Sequence, residues 1–144
     1  MPKLPLLPKR LRYALAAAAV VLLVAFSVVP LPRWVTQLGP LGLFPIRRYL
    51  HLLAYAGFAL VVGYALADSP RPDWQVLAIV FCVAFGVGAA MELLQTALPN
   101  RHASVRDLAA NATGAAVAVG VWRLLLRRVR TYRIGAARDR SSGQ

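Results

Sequence analysis

Acidic residues are nearly missing from this chain. Of its 144 residues only five are carboxylates (Asp68, Asp73, Glu92, Asp107 and Asp139), against 17 lysines and arginines, for a formal net charge of +12. Charged residues make up 15% and hydrophobic ones 59%, with a mean hydropathy of +0.59. A soluble domain carries about 25% charged and about 45–50% apolar residues, so the composition argues against a water-soluble globule. Cysteine is equally scarce. The single Cys82 lies inside an apolar run and rules out an internal disulfide framework, a Cys-based zinc site and a CxxC redox pair. Internal repeats and long low-complexity tracts are also missing. A soluble protein this basic would need a nucleic-acid partner, but here the basic residues lie between long apolar runs, and no nucleic-acid partner is expected.

What is present is a set of runs long enough to cross a hydrocarbon core, which takes roughly 20 helical residues. They are Leu11–Val29, Tyr49–Leu66, Trp74–Leu98 and about Val105–Leu126. Breakers separate them: Pro30, Pro32, Gly39, Pro40, Gly42 and Pro45, then Ser69, Pro70 and Pro72, then Pro99 and Asn100. The expected fold is all-α, a polytopic four-helix transmembrane bundle forming one domain over residues 1–134. An Arg-rich polar tail follows, fraying from residue 135 to 144. With the N-terminus cytoplasmic, twelve Lys and Arg fall on that side and five (Arg33, Arg47, Arg48, Arg101 and Arg106) on the other. This bias places both termini in the cytoplasm. The basic start and Ala25-Phe26-Ser27 also fit a cleaved signal peptide, which would leave three spans with the same outer face. The tail arginines have a sufficient role in orientation and in binding anionic lipid headgroups.

Polar residues inside hydrocarbon are costly unless they face a bundle interior, and here they converge. His51 and Tyr55 are one turn apart near the start of the second span. Glu92 and Gln95 share a face near the end of the third, and Asp107 and Asn111 are one turn apart at the start of the fourth. At 1.5 Å per residue, Glu92 lies about 9 Å in from Leu98 and Asn111 about 10 Å in from Ser104. The link 99–103 is short enough to make the third and fourth helices antiparallel neighbours. Glu92 and Asn111 therefore share one depth, Gln95 and Asp107 a shallower one, and His51 enters from the same side.

Each of these residues also has a structural use. Ser104-Val105-Arg106-Asp107 reads as a capping box with Asp107 closing the helix start. Asn111 can bond across a helix pair, and His51 and Tyr55 can keep wet tips at the interface. Glu92 needs a partner or a proton, and Arg101, Arg106 and His51 are the cations at hand. The types of His51, Glu92, Asp107 and His102 suit a metal, but their spacing matches no ligand motif; no metal and no cofactor is expected. Ala112, Ala116 and Gly120, with Gly114 between, form a small-residue face that Gly86 and Ala90 of the third span would meet. The apolar loop Pro30–Arg48, with Trp34, Leu41, Leu43 and Phe44, lies in the interface or folds back over the polar cluster.

Two strings resemble known signatures. Arg48-Tyr-Leu-His51-Leu-Leu-Ala-Tyr55, continuing through Leu60, resembles the first signature of the VanZ-like membrane family, a His opening a span with a Tyr one turn later. The second string runs from Glu92 and Gln95 through Pro99, Arg101, Ser104, Asp107 and Asn111 to Gly114, and it matches seven or eight positions at fixed spacing. Together they cover about residues 47–120. The family often has an acidic residue a few positions before the His, where this chain has Arg47 and Arg48. The resemblance implies a small bacterial inner-membrane protein, and the founding member of the family is linked to reduced susceptibility to the glycopeptide teicoplanin. It brings no accepted biochemical activity.

Three readings follow for the cluster of His51, Tyr55, Glu92, Gln95, Arg101, Asp107 and Asn111. It binds a lipid-linked envelope intermediate or a lipoglycopeptide, with apolar walls and a few convergent polar groups. Alternatively, His51, Glu92 and Asp107 serve acid–base chemistry on an envelope lipid, although no strong nucleophile accompanies them. Or the residues only lock a scaffold together. Oligomeric state is open.

Overall fold

The structure is a computed structural model that describes residues 3–30, 32–99, 103–128 and 130–133. Four helices carry it: α1 (Lys9–Val28), α2 (Ile46–Ala65), α3 (Asp73–Thr96) and α4 (Val105–Arg128). Each lies within three residues of the run expected from hydropathy. The starts of α1, α2 and α3 follow Pro8, Pro45 and Pro72, whose backbone is extended. Proline cannot donate but can accept, and the carbonyls of Pro8, Pro45 and Pro72 take the first free amides, from Leu11, Arg48 and Gln75.

Helix α2 is the hub. It packs most closely on α4 and also touches α1 and α3, while α3 packs on α4 and α1. Its inner face supplies Tyr55, Phe58, Ala59 and Val62 to a core completed by Val76, Val80, Ala84, Ala115 and Ala118. Ala19, Val20 and Leu23 of α1 close the core from the remaining side. Among the described residues three helices, α1, α3 and α4, are long and apolar enough to cross a membrane. Helix α2 is outside that set because its first two turns carry Arg47, Arg48 and His51, which its central position lets it turn toward protein.

The small-residue face is a correction. Ala116 and Gly120 are exposed, and a Cβ at Gly120 or Gly86 would meet nothing within 4 Å. The close approach runs instead through Gly114, where a Cβ would collide with the Leu52 carbonyl of α2. On α3 the tight position is Gly88, whose Cβ would come within 3.2 Å of Asn111 Nδ2 and of the Tyr55 ring. Ala116 and Gly120 are therefore not packing positions; the helix turns a different stripe inward, and its partner there is α2.

At the end of the bundle that holds the termini, strand β1 (Lys3–Leu6) pairs in parallel with strand β2 (Arg130–Arg133), Lys3 opposite Arg130 and Leu6 opposite Arg133. Sequence reasoning did not anticipate this pairing, because neither segment alternates and parallel partners are distant in the chain. A clasp lies beside it. The Tyr64 hydroxyl donates to Pro5 O (2.9 Å) and accepts from Leu7 N–H (3.0 Å). Arg12 is 1% exposed. It donates from Nε to Leu7 O, from Nη1 to Tyr64 O and Ala65 O, and pairs through Nη2 with Asp68 Oδ1 at 2.8 Å. Its guanidinium thus supplies donors to the last carbonyls of α2, where a cation is also favoured by the helix dipole.

The loop between α1 and α2 carries local structure over residues 32–45. Residues Arg33–Thr36 form a 3-10 turn with Val35 buried, and Leu38 bridges Pro45 in antiparallel fashion. Gly42 turns the chain with φ of 65°, a backbone region that favours glycine. Phe44 packs edge-on to Tyr49 and under the Arg48 guanidinium. The loop therefore folds back on the start of α2, leaving Trp34, Leu38, Leu41 and Leu43 exposed.

Candidate functional site at the open end of the bundle

The start of α2, the end of α3 and the start of α4 meet at the end of the bundle opposite the paired termini. Positions 47, 51 and 55 of α2 are one turn apart and present one face. On α4 the corresponding positions are 107 and 111, and on α3, which runs the other way, they are 95, 92 and 88. The result is a ladder of polar contacts in levels.

In the outermost level Arg47 Nη2 lies 3.0 Å from Asp107 Oδ2 and 3.3 Å from Gln95 Oε1. Arg48 Nε is 3.8 Å from Asp107 Oδ1. One turn deeper, His51 Nδ1 lies 2.9 Å from Asn111 Oδ1 and 3.9 Å from Glu92 Oε1. Below these, Tyr55 packs its ring edge at Gly88. Gln95, Asn111, Glu92, Asp107 and Tyr55 are all buried. The depth arithmetic thus anticipated both levels.

The partners differ from expectation. Ser104 Oγ accepts from Asp107 N–H at 3.2 Å, which is half of a capping box. The other half comes from elsewhere: Ser104 N–H donates to Glu92 Oε2 at 2.9 Å. Glu92 of the neighbouring helix thus does for the Ser104 amide what Asp107 was expected to do, and Asp107 is released to Arg47. Among the described residues, the basic side chain paired with Glu92 is His51, with Nδ1 3.9 Å from Oε1. Arg106 is exposed, and Arg101 and His102 lie outside the described residues.

Arg47 and Arg48 are the members that sequence reasoning did not assign to the site. They were read as orientation charges and as a departure from a family pattern. The signal was available: two carboxylates within reach of hydrocarbon require positive charge, and this pair sits one turn before His51 on the same helix. Several buried polar atoms of the site have no hydrogen-bond partner among the described residues, namely Glu92 Oε1, Asn111 Nδ2, Arg47 Nε and Arg48 Nε.

Beside the ladder a cavity of about 260 Å³ opens between α1, α2 and α3. Leu23, Phe26, Leu50 and Ala54 supply apolar wall, and Arg47, His51, Tyr55 and Gln95 bring the ladder to its lining.

The VanZ/LLP1 family model matches residues 16–126, more than half of the chain. The chain belongs to the VanZ/LLP1 family. The match takes in all of α2, α3 and the ladder, and it extends beyond the two signature strings to include most of α1. Comparison with curated proteins and with solved structures returns no match.

Proposed function

We propose that this membrane protein of the VanZ/LLP1 family binds an amphiphilic, lipid-like molecule of the bacterial envelope at the open end of its bundle. The cavity carries the reading. An apolar trough bordered by Arg47, His51 and Gln95 suits a chain with a polar, preferably anionic, head, and a small set of convergent polar groups in an apolar wall is how such sites recognise ligands. A lipid-linked envelope intermediate and a lipoglycopeptide both have this character. Lower susceptibility to teicoplanin-type glycopeptides would follow from capture of either.

In this reading the ladder faces outward from the cytoplasmic membrane and both termini are cytoplasmic. The pairing of β1 with β2 and the exposed Arg123, Arg127 and Arg128 at the same end of the bundle agree with that orientation. Single cysteines at positions 37, 70, 102 and 140 in a Cys82→Ala background test it in intact cells. Labelling by an impermeant maleimide is expected at 37 and 102 and absent at 70 and 140; the inverse pattern refutes the orientation.

The binding reading is tested by Ala54→Trp, which fills the cavity from its wall without replacing a ladder residue. Lipid co-purifying with the protein, measured by mass spectrometry, should fall at least about tenfold, a loss of about 1.4 kcal/mol in binding. A sensitised bacterial host challenged with a lipoglycopeptide supplies the cellular readout. Glu92→Gln and His51→Ala should remove protection at unchanged membrane abundance, while truncation after Arg133, which keeps β2, should retain it. Unaltered lipid recovery from Ala54→Trp together with full protection by both ladder variants would sink the proposal.

A further inference from the structure

We infer that His51, Glu92 and Asp107 form a binding site for a divalent transition-metal ion, zinc being the best fit to the donors. One ligand atom from each residue lies within 4.8 Å of the others, although the three come from three different helices. Their spacing in sequence, 51, 92 and 107, has no motif character, which is why sequence reasoning set a metal aside. A nitrogen and two carboxylate oxygens suit zinc and its first-row neighbours better than magnesium or calcium, which favour all-oxygen shells.

An independent observation supports the cluster. Glu92 is 4% exposed, and its Oε1, the oxygen that faces His51, has no hydrogen-bond partner among the described residues. A buried carboxylate oxygen left without a partner is costly, and a cation at the cluster supplies what is missing.

The two carboxylates are also held from behind: Ser104 N–H holds Glu92 Oε2, and Arg47 holds Asp107 Oδ2. The His51 nitrogen that faces Glu92 Oε1 is Nδ1, at 3.9 Å, and it also lies 2.9 Å from Asn111 Oδ1, so an ion seated there takes Nδ1 in place of the Asn111 contact. Outer contacts of the kind made by Ser104 and Arg47 orient metal ligands.

Charge then says what a metal would do. The two carboxylates and the two arginines Arg47 and Arg48, both of which face Asp107, already balance in charge, so an added dication makes the site cationic. Three protein ligands leave a coordination position open, and a positive site with an open position favours an anionic group such as a phosphate or carboxylate. His51 and Arg47 both line the cavity, so this extends the proposed amphiphile site by specifying an anionic head. The metal inference itself rests on the cluster geometry and stands without the lipid.

The test uses tag-free full-length protein in detergent, stripped with chelator and then equilibrated with zinc, manganese or magnesium. Metal is counted by elemental mass spectrometry after gel filtration. About one zinc per chain is expected to remain, with little magnesium. His51→Ala and Glu92→Gln should each weaken zinc binding by more than about 100-fold, beyond the roughly 10–100-fold expected for loss of an outer contact alone. His102→Ala should bind like the wild type. The variants are compared only where helical circular dichroism matches the wild type. Should both fail that criterion, cobalt titrated into the wild-type chain reports ligation through its visible absorption. Wild type that retains no zinc, or ladder variants that retain all of it, would overturn the inference. Ala54→Trp separates the two readings: it should lose lipid and keep zinc.

Discussion

Arg12→Ala is expected to destabilise the protein by about 3–5 kcal/mol, the cost of breaking a buried ion pair by removing one partner. The deletion also leaves Leu7 O, Tyr64 O and Ala65 O without their guanidinium donor. Asp68 keeps Lys9 Nζ at 4.0 Å, so it retains a more distant positive charge. Denaturation in mixed detergent micelles, followed by circular dichroism, measures the loss. Arg12→Lys should recover less than half of it, since an ammonium cannot reproduce a planar fork serving three carbonyls and a carboxylate. The exposed neighbour Arg10 serves as the control, and Arg10→Ala should be near neutral. A Tm for Arg12→Ala equal to that of Arg10→Ala would show that the clasp contributes nothing. The consequence reaches beyond stability, because the clasp ties the N-terminal segment and α1 to the end of α2, and α1 supplies one wall of the cavity.

Gly114→Ala should be the most damaging single methyl group that can be added to the bundle. Its Cβ meets the Leu52 carbonyl, and backbone cannot swing aside as a side chain can. Overpacking of this kind typically costs about 1–3 kcal/mol, and at a backbone contact the upper end is expected. Helices α2 and α4 would be pushed apart at the level of the His51–Asn111 contact, so zinc and lipid binding should fall together with stability. Gly120→Ala and Gly57→Ala, where nothing lies within 4 Å of the added atom, should be tolerated. Thermal unfolding of the three variants decides the matter, and equal melting temperatures would refute the close approach of α2 and α4.

The sequence by itself determined the helices, their order and six members of the ladder, His51, Tyr55, Glu92, Gln95, Asp107 and Asn111, but not Arg47 and Arg48. Apolar runs cut by Pro30, Pro45, Pro72 and Pro99 set the helix limits, because length in hydrocarbon and a missing N–H are local properties. Rise per residue was enough to bring Glu92 to the level of Asn111 and Gln95 to that of Asp107, since depth along an antiparallel pair depends only on counting from the turn. The string from Glu92 to Gly114 was enough to suggest the family.

Only the tertiary structure decided which groups face each other within a level. Whether Asp107 meets Ser104 or Arg47 depends on the rotation of α4 about its axis and on what α2 offers there, and neither is encoded in spacing. The same holds for the glycines: Ala116 and Gly120 have the right interval, yet Gly114 lies at the contact because the α4 face carrying Asn111, Ala115 and Ala118 is the one turned to the core. The trio His51, Glu92 and Asp107 and the pairing of residues 3–6 with 130–133 are long-range in the same sense. Convergence of residues far apart in the chain is a property of packed helices, and it becomes definite only when every helix has chosen its neighbour.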